Sequence, residues 1–236
     1  MKLRLLAAAL AALTLTAGVA SAQDTTSEKG KLSYAIGYDM GSNVADLVEN
    51  GEAVDINTVI KALQDAYGKK QPAVPVDQLR TVVKSMQDRQ LAKAKAAFEK
   101  VSAENKTKSD AFLAQNKAKP GVKTLPSGVQ YREIKAGSGA KPTQASEVTL
   151  QYKGSLSDGQ TFVDTANPPQ GQKGGPVSLK VSQIPLTGLR EALTQMTPGA
   201  NWEVVLPAAQ AYGNTPQSPV GPNQAVVFNV TLVSVK

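Results

Sequence analysis

Two tyrosines, two phenylalanines and one aspartate are the side chains best placed to do chemistry in this sequence. Tyr152, Phe162 and Asp164 lie in one stretch, residues 147–165 (EVTLQYKGSLSDGQTFVDT). Val148, Leu150 and Tyr152 alternate with Thr149, Gln151 and Lys153, the period-two pattern of a half-buried strand. Ser157-Asp158-Gly159 supplies a turn, and Thr161-Phe162-Val163 begins a returning strand. This hairpin sets a tyrosine and a phenylalanine on neighbouring strands, with a carboxylate just beyond. Tyr212, in Ala211-Tyr212-Gly213, and Phe228, in the apolar run 225–232, supply further walls. An aromatic wall holding one acid reads as the lining of a pocket. Plain packing competes with that reading at each aromatic, least at Tyr212, which sits in a loop rich in Gly and Pro. For Asp164 the competing role is a turn cap.

Composition limits what such a pocket can do. The 236 residues contain no histidine and no cysteine. Disulfides, thiol nucleophiles, the usual zinc sites and the Ser-His and Cys-His dyads are therefore excluded. No dense Asp/Glu loop of the calcium type is present, and neither a metal nor a cofactor is expected. Chemistry here must proceed with little proton transfer, or take it from Asp, Glu, Lys or Tyr. The formal net charge is +7. The lysines are scattered along a long helical stretch and are not clustered beside aromatic residues. They read as a solvated face, and nucleic acid is not an expected partner.

The elements that must position these residues follow from the chain order. Residues 1–22 read as a secretory signal: Lys2 and Arg4, an apolar run from Leu5, then Ala20-Ser21-Ala22 as a cleavage site. The apolar run is short of the ~20 residues that span a bilayer, so no integral membrane anchor is expected and cleavage after Ala22 is. With no cysteine, a lipid-modified cysteine at that junction is excluded. Residues 23–74 read as a helical dimerisation domain of two helices. Leu32, Ile36, Met40, Val44, Leu47 and Val48 share one face of the first, and Asn50-Gly51 ends it. Gly37 and Gly41 share a face four residues apart and let another backbone come close, either in a second copy or within the chain. Residues 75–120 read as a long connecting helix, with Pro75 suited to its first turn and Pro120-Gly121 as its stop. Apolar residues thin out beyond Leu91, so its second half is expected to bury little and to act as an arm between domains. Residues 121–236 switch to short strand-like runs around one amphipathic helix near 188–196. The fold class expected is α+β, an antiparallel sheet wrapped on one short helix after an all-α N-terminal part.

Residues 122–236 resemble the FKBP-type peptidyl-prolyl cis-trans isomerases. The resemblance is carried by Val148-Thr-Leu-Gln-Tyr152-Lys-Gly154, Leu156, Asp158-Gly159, Phe162, Gly188-Leu-Arg-Glu-Ala-Leu-Thr-Gln-Met196, Pro198-Gly199, Leu206-Pro207, Ala211-Tyr212-Gly213, Gly221-Pro222-Asn223 and Val227-Phe228. The preceding part is similar to the macrophage infectivity potentiator (Mip) branch of that family, through Lys31-Leu-Ser-Tyr-Ala-Ile-Gly37, Glu104-Asn-Lys, Ala111-Phe-Leu, Asn116-Lys, Lys119-Pro-Gly-Val122 and Leu125-Pro-Ser-Gly128.

The resemblance implies a V-shaped homodimer joined through its N-terminal helices and a five- or six-stranded sheet. It implies isomerisation of X-Pro bonds in unfolded or extended polypeptides of the periplasm, or secretion beyond it, as a folding aid. It also implies binding of FK506- and rapamycin-type macrolides. A non-catalytic chaperone or peptide-binding module that keeps the fold is the alternative. Tyr152, Phe162, Asp164, Tyr212 and Phe228 carry over as catalytic positions. Leu179, Ile184, Pro185, Leu186, Leu189 and Val220 carry over as substrate-binding positions, with Leu189 where the family has a floor tryptophan.

Two registers stay open. The family carboxylate directly follows the phenylalanine, but here Val163 intervenes. Either Phe162 keeps the aromatic position and Asp164 turns away unless a bulge corrects it, or Val163 takes that position. The backbone donor to substrate falls in Ile184-Pro185 counted forward from Val181, or in Pro185-Leu186 counted back from Met196. Trp202 reads as core.

Overall fold

The computed structural model describes residues 24–236 apart from Gln170 and Gln172. The expected signal segment 1–22 and its cleavage site lie outside the described residues. The chain divides into two compact units between Gln87 and Asp88.

The first unit starts with helix α1 (Glu28–Glu49), whose N-terminus Ser27 caps by accepting a hydrogen bond from the Gly30 N–H at 3.0 Å. Asn50 and Gly51, the latter at φ +86°, end it as the sequence predicts. Helix α2 (Ile56–Tyr67) is capped by Asp55, which accepts from the Thr58 N–H at 2.7 Å, and stops at Gly68. These helices form without building a core. Among the described residues, α1 buries only Gly30 and α2 buries none. Leu32, Ile36, Tyr38, Ile56, Ile60 and Leu63 all stand exposed. No described helix is long and apolar enough to cross a membrane.

Helix α3 (Val76–Lys117) is one unbroken helix of 42 residues that crosses the division of the chain. Pro75 stands one position ahead of it, where its carbonyl accepts from the N–H groups of Gln78 and Leu79. The expectation of a free arm over its second half is corrected. Ser102, Asn105, Ser109 and Asn116 are buried there, and each is hydrogen-bonded to the sheet-bearing unit. Apolar periodicity could not show this face because it is made of polar side chains.

The sheet has seven strands, one more than the resemblance implies at most. They are β1 (Lys123–Thr124), β2 (Gln130–Lys135), β3 (Glu147–Leu156), β4 (Thr161–Asp164), β5 (Val177–Lys180), β6 (Asn201–Leu206) and β7 (Val226–Val235). The order is β1-β2-β6-β7-β3-β4, all antiparallel, with β5 also on β3. Strand β3 is the organiser. One edge pairs with β7 along its whole length, and the other takes β5 against residues 147–150 and β4 against residues 153–155. Helix α4 (Thr187–Leu193) lies against β6. Gly188 permits that approach, since a Cβ there would come within 2.8 Å of both Leu206 and Val129. The core under α4 gathers Leu150, Leu189, Leu193, Met196, Val204, Leu206, Phe228, Val230 and Leu232. The fold is α+β, with a helical N-terminal part, as expected.

Candidate active site

Four aromatic rings meet where β3, β4 and β7 run side by side. Phe162 is at the centre. Its ring centroid lies 5.9 Å from that of Tyr212 and 5.8 Å from that of Phe228, at interplanar angles of 80° and 89°. Tyr152 meets Phe228 at 6.2 Å and 62°. These are edge-to-face contacts, in which the positive rim of one ring points at the negative face of the next. Phe228 is buried, and the other three are half-buried against it.

A β-bulge brings Phe162 into this group. Gly154 pairs with Val163 and Ser155 pairs with Thr161, so Phe162 is the extra residue between them. Gly154 is essential to the arrangement. A Cβ there would stand 2.7 Å from Val163 Cγ1, 2.8 Å from Phe162 Cζ and 2.9 Å from Phe228 Cε1. The bulge resolves the first open register. Phe162 makes the aromatic contacts, and Val163 packs beside it against the same core. Beyond the bulge Thr165 clamps Tyr152. Its hydroxyl accepts from the Tyr152 N–H at 3.0 Å and donates to the Tyr152 carbonyl at 3.1 Å.

Asp164 differs from the four rings. It pairs with Lys153, whose side chain alternates away from Tyr152 and Gly154. Its carboxylate accepts from the Ala166 N–H at 2.9 Å, the Asn167 N–H at 3.3 Å and the Asn167 side-chain amide at 3.2 Å. The Asn167 amide first, and the Ala166 N–H next, hold this carboxyl below the ordinary aspartate range. It caps the turn that follows β4.

In the segment leading into α4 the two counts offer different backbone groups. Ile184 donates its N–H to the Val181 carbonyl at 3.1 Å inside a tight 3₁₀ turn, and Pro185 has no N–H to give. The N–H of Leu186, just ahead of α4, has no hydrogen-bond partner among the described residues. Counting back from Met196 thus reaches an N–H that is unengaged among the described residues, and counting forward does not. Ile184, Leu186 and Leu189 are buried in the core, Leu179 and Val220 are half-buried against it, and Pro185 is exposed. Burial, and secondarily the neighbouring Tyr152, pushes the Tyr212 hydroxyl above its ordinary value of 10.0.

The four clustered rings stand in a chain with no histidine and no cysteine, so neither group can serve as a base or nucleophile beside them. Comparison with known proteins decides the family. Residues 29–132 match the family described as "Domain amino terminal to FKBP-type peptidyl-prolyl isomerase", and residues 138–233 match "FKBP-type peptidyl-prolyl cis-trans isomerase". The chain is 41% identical to "Outer membrane protein MIP" of Legionella longbeachae, an alignment covering 100% of this chain and 99% of that one. The chain belongs to the FKBP-type peptidyl-prolyl cis-trans isomerases. It is also 35% identical to "Peptidyl-prolyl cis-trans isomerase Mip" of Coxiella burnetii, over 89% of this chain and 87% of that one. Among solved structures it is similar to FkpA from Escherichia coli, with a TM-score of 0.64 and 27% identity over 89% of this chain and 98% of that one.

For an FKBP-type isomerase, the sequence alone misses three features of this site. Gly154 sits in a quoted motif, but only the bulge shows that two rings and a valine occupy the space of its missing side chain. The Thr165 clamp leaves no pattern. The α3 residues beside the loop after Tyr212 are polar, so an apolar-stripe search passes over them. Trp202 is core as expected. It stacks on Tyr131 at 4.3 Å and 8°, and its indole N–H donates to Glu133 at 3.3 Å.

Proposed function

We propose that Tyr152, Phe162, Tyr212 and Phe228 line the cleft in which the X-Pro bond is rotated, with Leu189 beneath and Leu179 and Val220 at its sides. The observation that carries this is the bulge at Phe162, which departs from regular pairing to seat one more ring against Tyr212 and Phe228. Rotation of a peptide bond faces a barrier of ~18–20 kcal/mol because the planar amide is resonance-stabilised. The twisted amide has lost conjugation, and its carbonyl is less polar. An apolar cleft binds that form better than either planar one, and differential binding is what lowers the barrier. The proline ring supplies the apolar anchor. The Leu186 N–H supplies one hydrogen bond to the substrate backbone. Asp164 orders the turn at the rim and transfers no proton.

The work is assigned to unfolded or extended clients in the periplasm, as a folding aid. The Ala20-Ser21-Ala22 pattern supports export, and the Legionella longbeachae relative is called an outer membrane protein. Macrolides of the FK506 type are ligands for the same cleft. The helices before Gln87 join two copies. Leu32 at 63% and Tyr38 at 67% exposure leave an apolar face that one chain does not cover. A groove of about 880 Å³ lined by Tyr34, Gly37, Tyr38 and Gly41 opens on α1. A Cβ on either glycine would meet nothing within 4 Å, which leaves room for a second backbone.

A protease-free isomerisation assay on X-Pro peptides tests the cleft. Phe162→Ala is expected to lower kcat/KM roughly tenfold or more while the sheet stays folded. Undiminished activity in that variant would remove the cleft assignment. Intact-mass measurement of exported protein tests the processing, with a start at Gln23 expected and retention of residues 2–22 contradicting it.

A further inference from the structure

The loop between Tyr212 and β7 is turned by local bonds at its tip, where the Ser218 N–H donates to the Thr215 carbonyl at 3.1 Å, the Gly221 N–H to the Ser218 carbonyl at 3.2 Å and the Ser218 hydroxyl to the Gly221 carbonyl at 2.6 Å. Pro216, Pro219 and Pro222 lack N–H groups. Its base closes where the Asn223 N–H donates to the Gly213 carbonyl at 3.0 Å, next to Tyr212. Asn223 itself sits at φ +54°, in the left-handed region. The tip bonds tie the loop only to itself, and side-chain bonds that hold both of its ends come from α3. The Ser109 hydroxyl donates to the Asn223 carbonyl at 2.9 Å and accepts from the Ala225 N–H at 2.8 Å. The Asn105 amide donates to the Pro222 carbonyl at 2.9 Å. The Asn223 amide donates to the Ser102 hydroxyl at 2.8 Å, and that hydroxyl donates to the Asn214 side chain at 2.9 Å.

Ser102, Asn105 and Ser109 recur at steps of three and four, so they share one helix face, and all three are buried. Apolar side chains would dock a helix without choosing a loop geometry. Directional bonds to both ends of one loop do choose it. Asn116 is the informative contrast. It lies on the same face, seven residues beyond Ser109, but its amide donates to Gln130 of β2 at 2.9 Å and leaves the loop alone.

We propose that Ser102, Asn105 and Ser109 are positioning residues of the isomerase: α3 holds the loop 213–225 and through it sets Tyr212 against Phe162. The connecting helix is then a component of the active site as well as a spacer. This rests on the reading that Tyr212 lines the substrate cleft.

The test uses the full-length mature protein. Ser109→Ala is expected to lower kcat/KM for X-Pro peptides about five- to tenfold, with faster amide hydrogen exchange across residues 211–226. Asn116→Ala is expected to lower the melting temperature yet leave kcat/KM within about twofold. In a Tyr212→Ala background Ser109→Ala should change kcat/KM no further, because both act through one ring. Wild-type kinetics in Ser109→Ala, alongside an impaired Tyr212→Ala, would overturn this proposal alone. Additive losses in the double variant, or loop exchange that stays slow, would do the same. Full activity in Tyr212→Ala would overturn the cleft reading and the proposal with it. Should Ser109→Ala not fold, Ser102→Ala, which keeps both Ser109 bonds, decides by the same readouts.

Discussion

The two halves of α3 place opposite kinds of side chain in opposite surroundings. Before Gln87 its apolar residues face outward, with Leu79 39% and Val82 59% exposed. Beyond Asp88 apolar Leu91 is exposed too, but four polar residues, Ser102, Asn105, Ser109 and Asn116, are covered, with Ser109 4% and Asn116 2% exposed. Each inversion has its own cause. An apolar side chain left in water gains by burial elsewhere, so the first half points to a partner outside the chain. A polar side chain taken out of water must find hydrogen bonds, so the second half points to specific partners within the chain, and the bonds are there. One helix thus carries exposed apolar area at one end and hydrogen-bonded polar contacts of defined geometry at the other.

The largest effect should follow from breaking the first inversion. Burying a large apolar side chain contributes roughly 1.5–3 kcal/mol. Ile60→Asp with Leu63→Asp is expected to halve the sedimentation mass of the mature protein and to lower its helicity. Activity on a short X-Pro peptide should persist, because the four rings of the proposed cleft all lie beyond Asp88. A variant that stays dimeric would place the interface elsewhere. The mirror experiment is Gly154→Ala in the second unit. A methyl within 3 Å of Val163, Phe162 and Phe228 costs about 1–3 kcal/mol by overpacking. It should depress kcat/KM strongly while leaving the sedimentation mass unchanged. Narrower in reach is Asn116→Ala, which leaves the Gln130 side-chain oxygen without its donor and costs about 1–3 kcal/mol, read only as a lower melting temperature. The smallest effect is expected from Asp164→Ala, since that carboxylate holds only the turn at 166–167. Its folded-state pKa lies below the ordinary value, so its contribution is complete above about pH 4. That contribution fades as pH falls through the lowered value. Activity of Asp164→Ala near pH 7 within about twofold of wild type would fit a turn-holding role; a tenfold loss would assign the acid a direct one.

The contrast also explains what could be read in advance. The helices of the first unit were legible from apolar spacing and from Asn50-Gly51 and Gly68, because local signals decide them. Strands β3, β4 and β7 were legible from alternation, and so were the four rings. The bulge at Phe162 was legible only as a question. One residue too many between Gly159 and Asp164 can be absorbed at several places, and the packing of Val163 and Phe162 over Gly154 chooses among them. That Ile184 has no free N–H likewise depends on the 3₁₀ turn that engages it. Strand β1, two residues long, carries no period to detect. The docked half of α3 was hidden for a physical reason: serine and asparagine at helical spacing look the same from sequence whether they face water or a loop.

The central claim is that this isomerase works through a desolvated aromatic cleft and not through acid–base catalysis. The most direct measurement is kcat/KM for an X-Pro peptide across pH 6 to 8, on the unmodified mature protein. Asp164 is held below its ordinary range, Tyr212 is pushed above 10.0, and the chain has no histidine. A profile flat to within about twofold is therefore expected. A bell-shaped profile centred near pH 7 would contradict the account and require an acid and a base within the cleft.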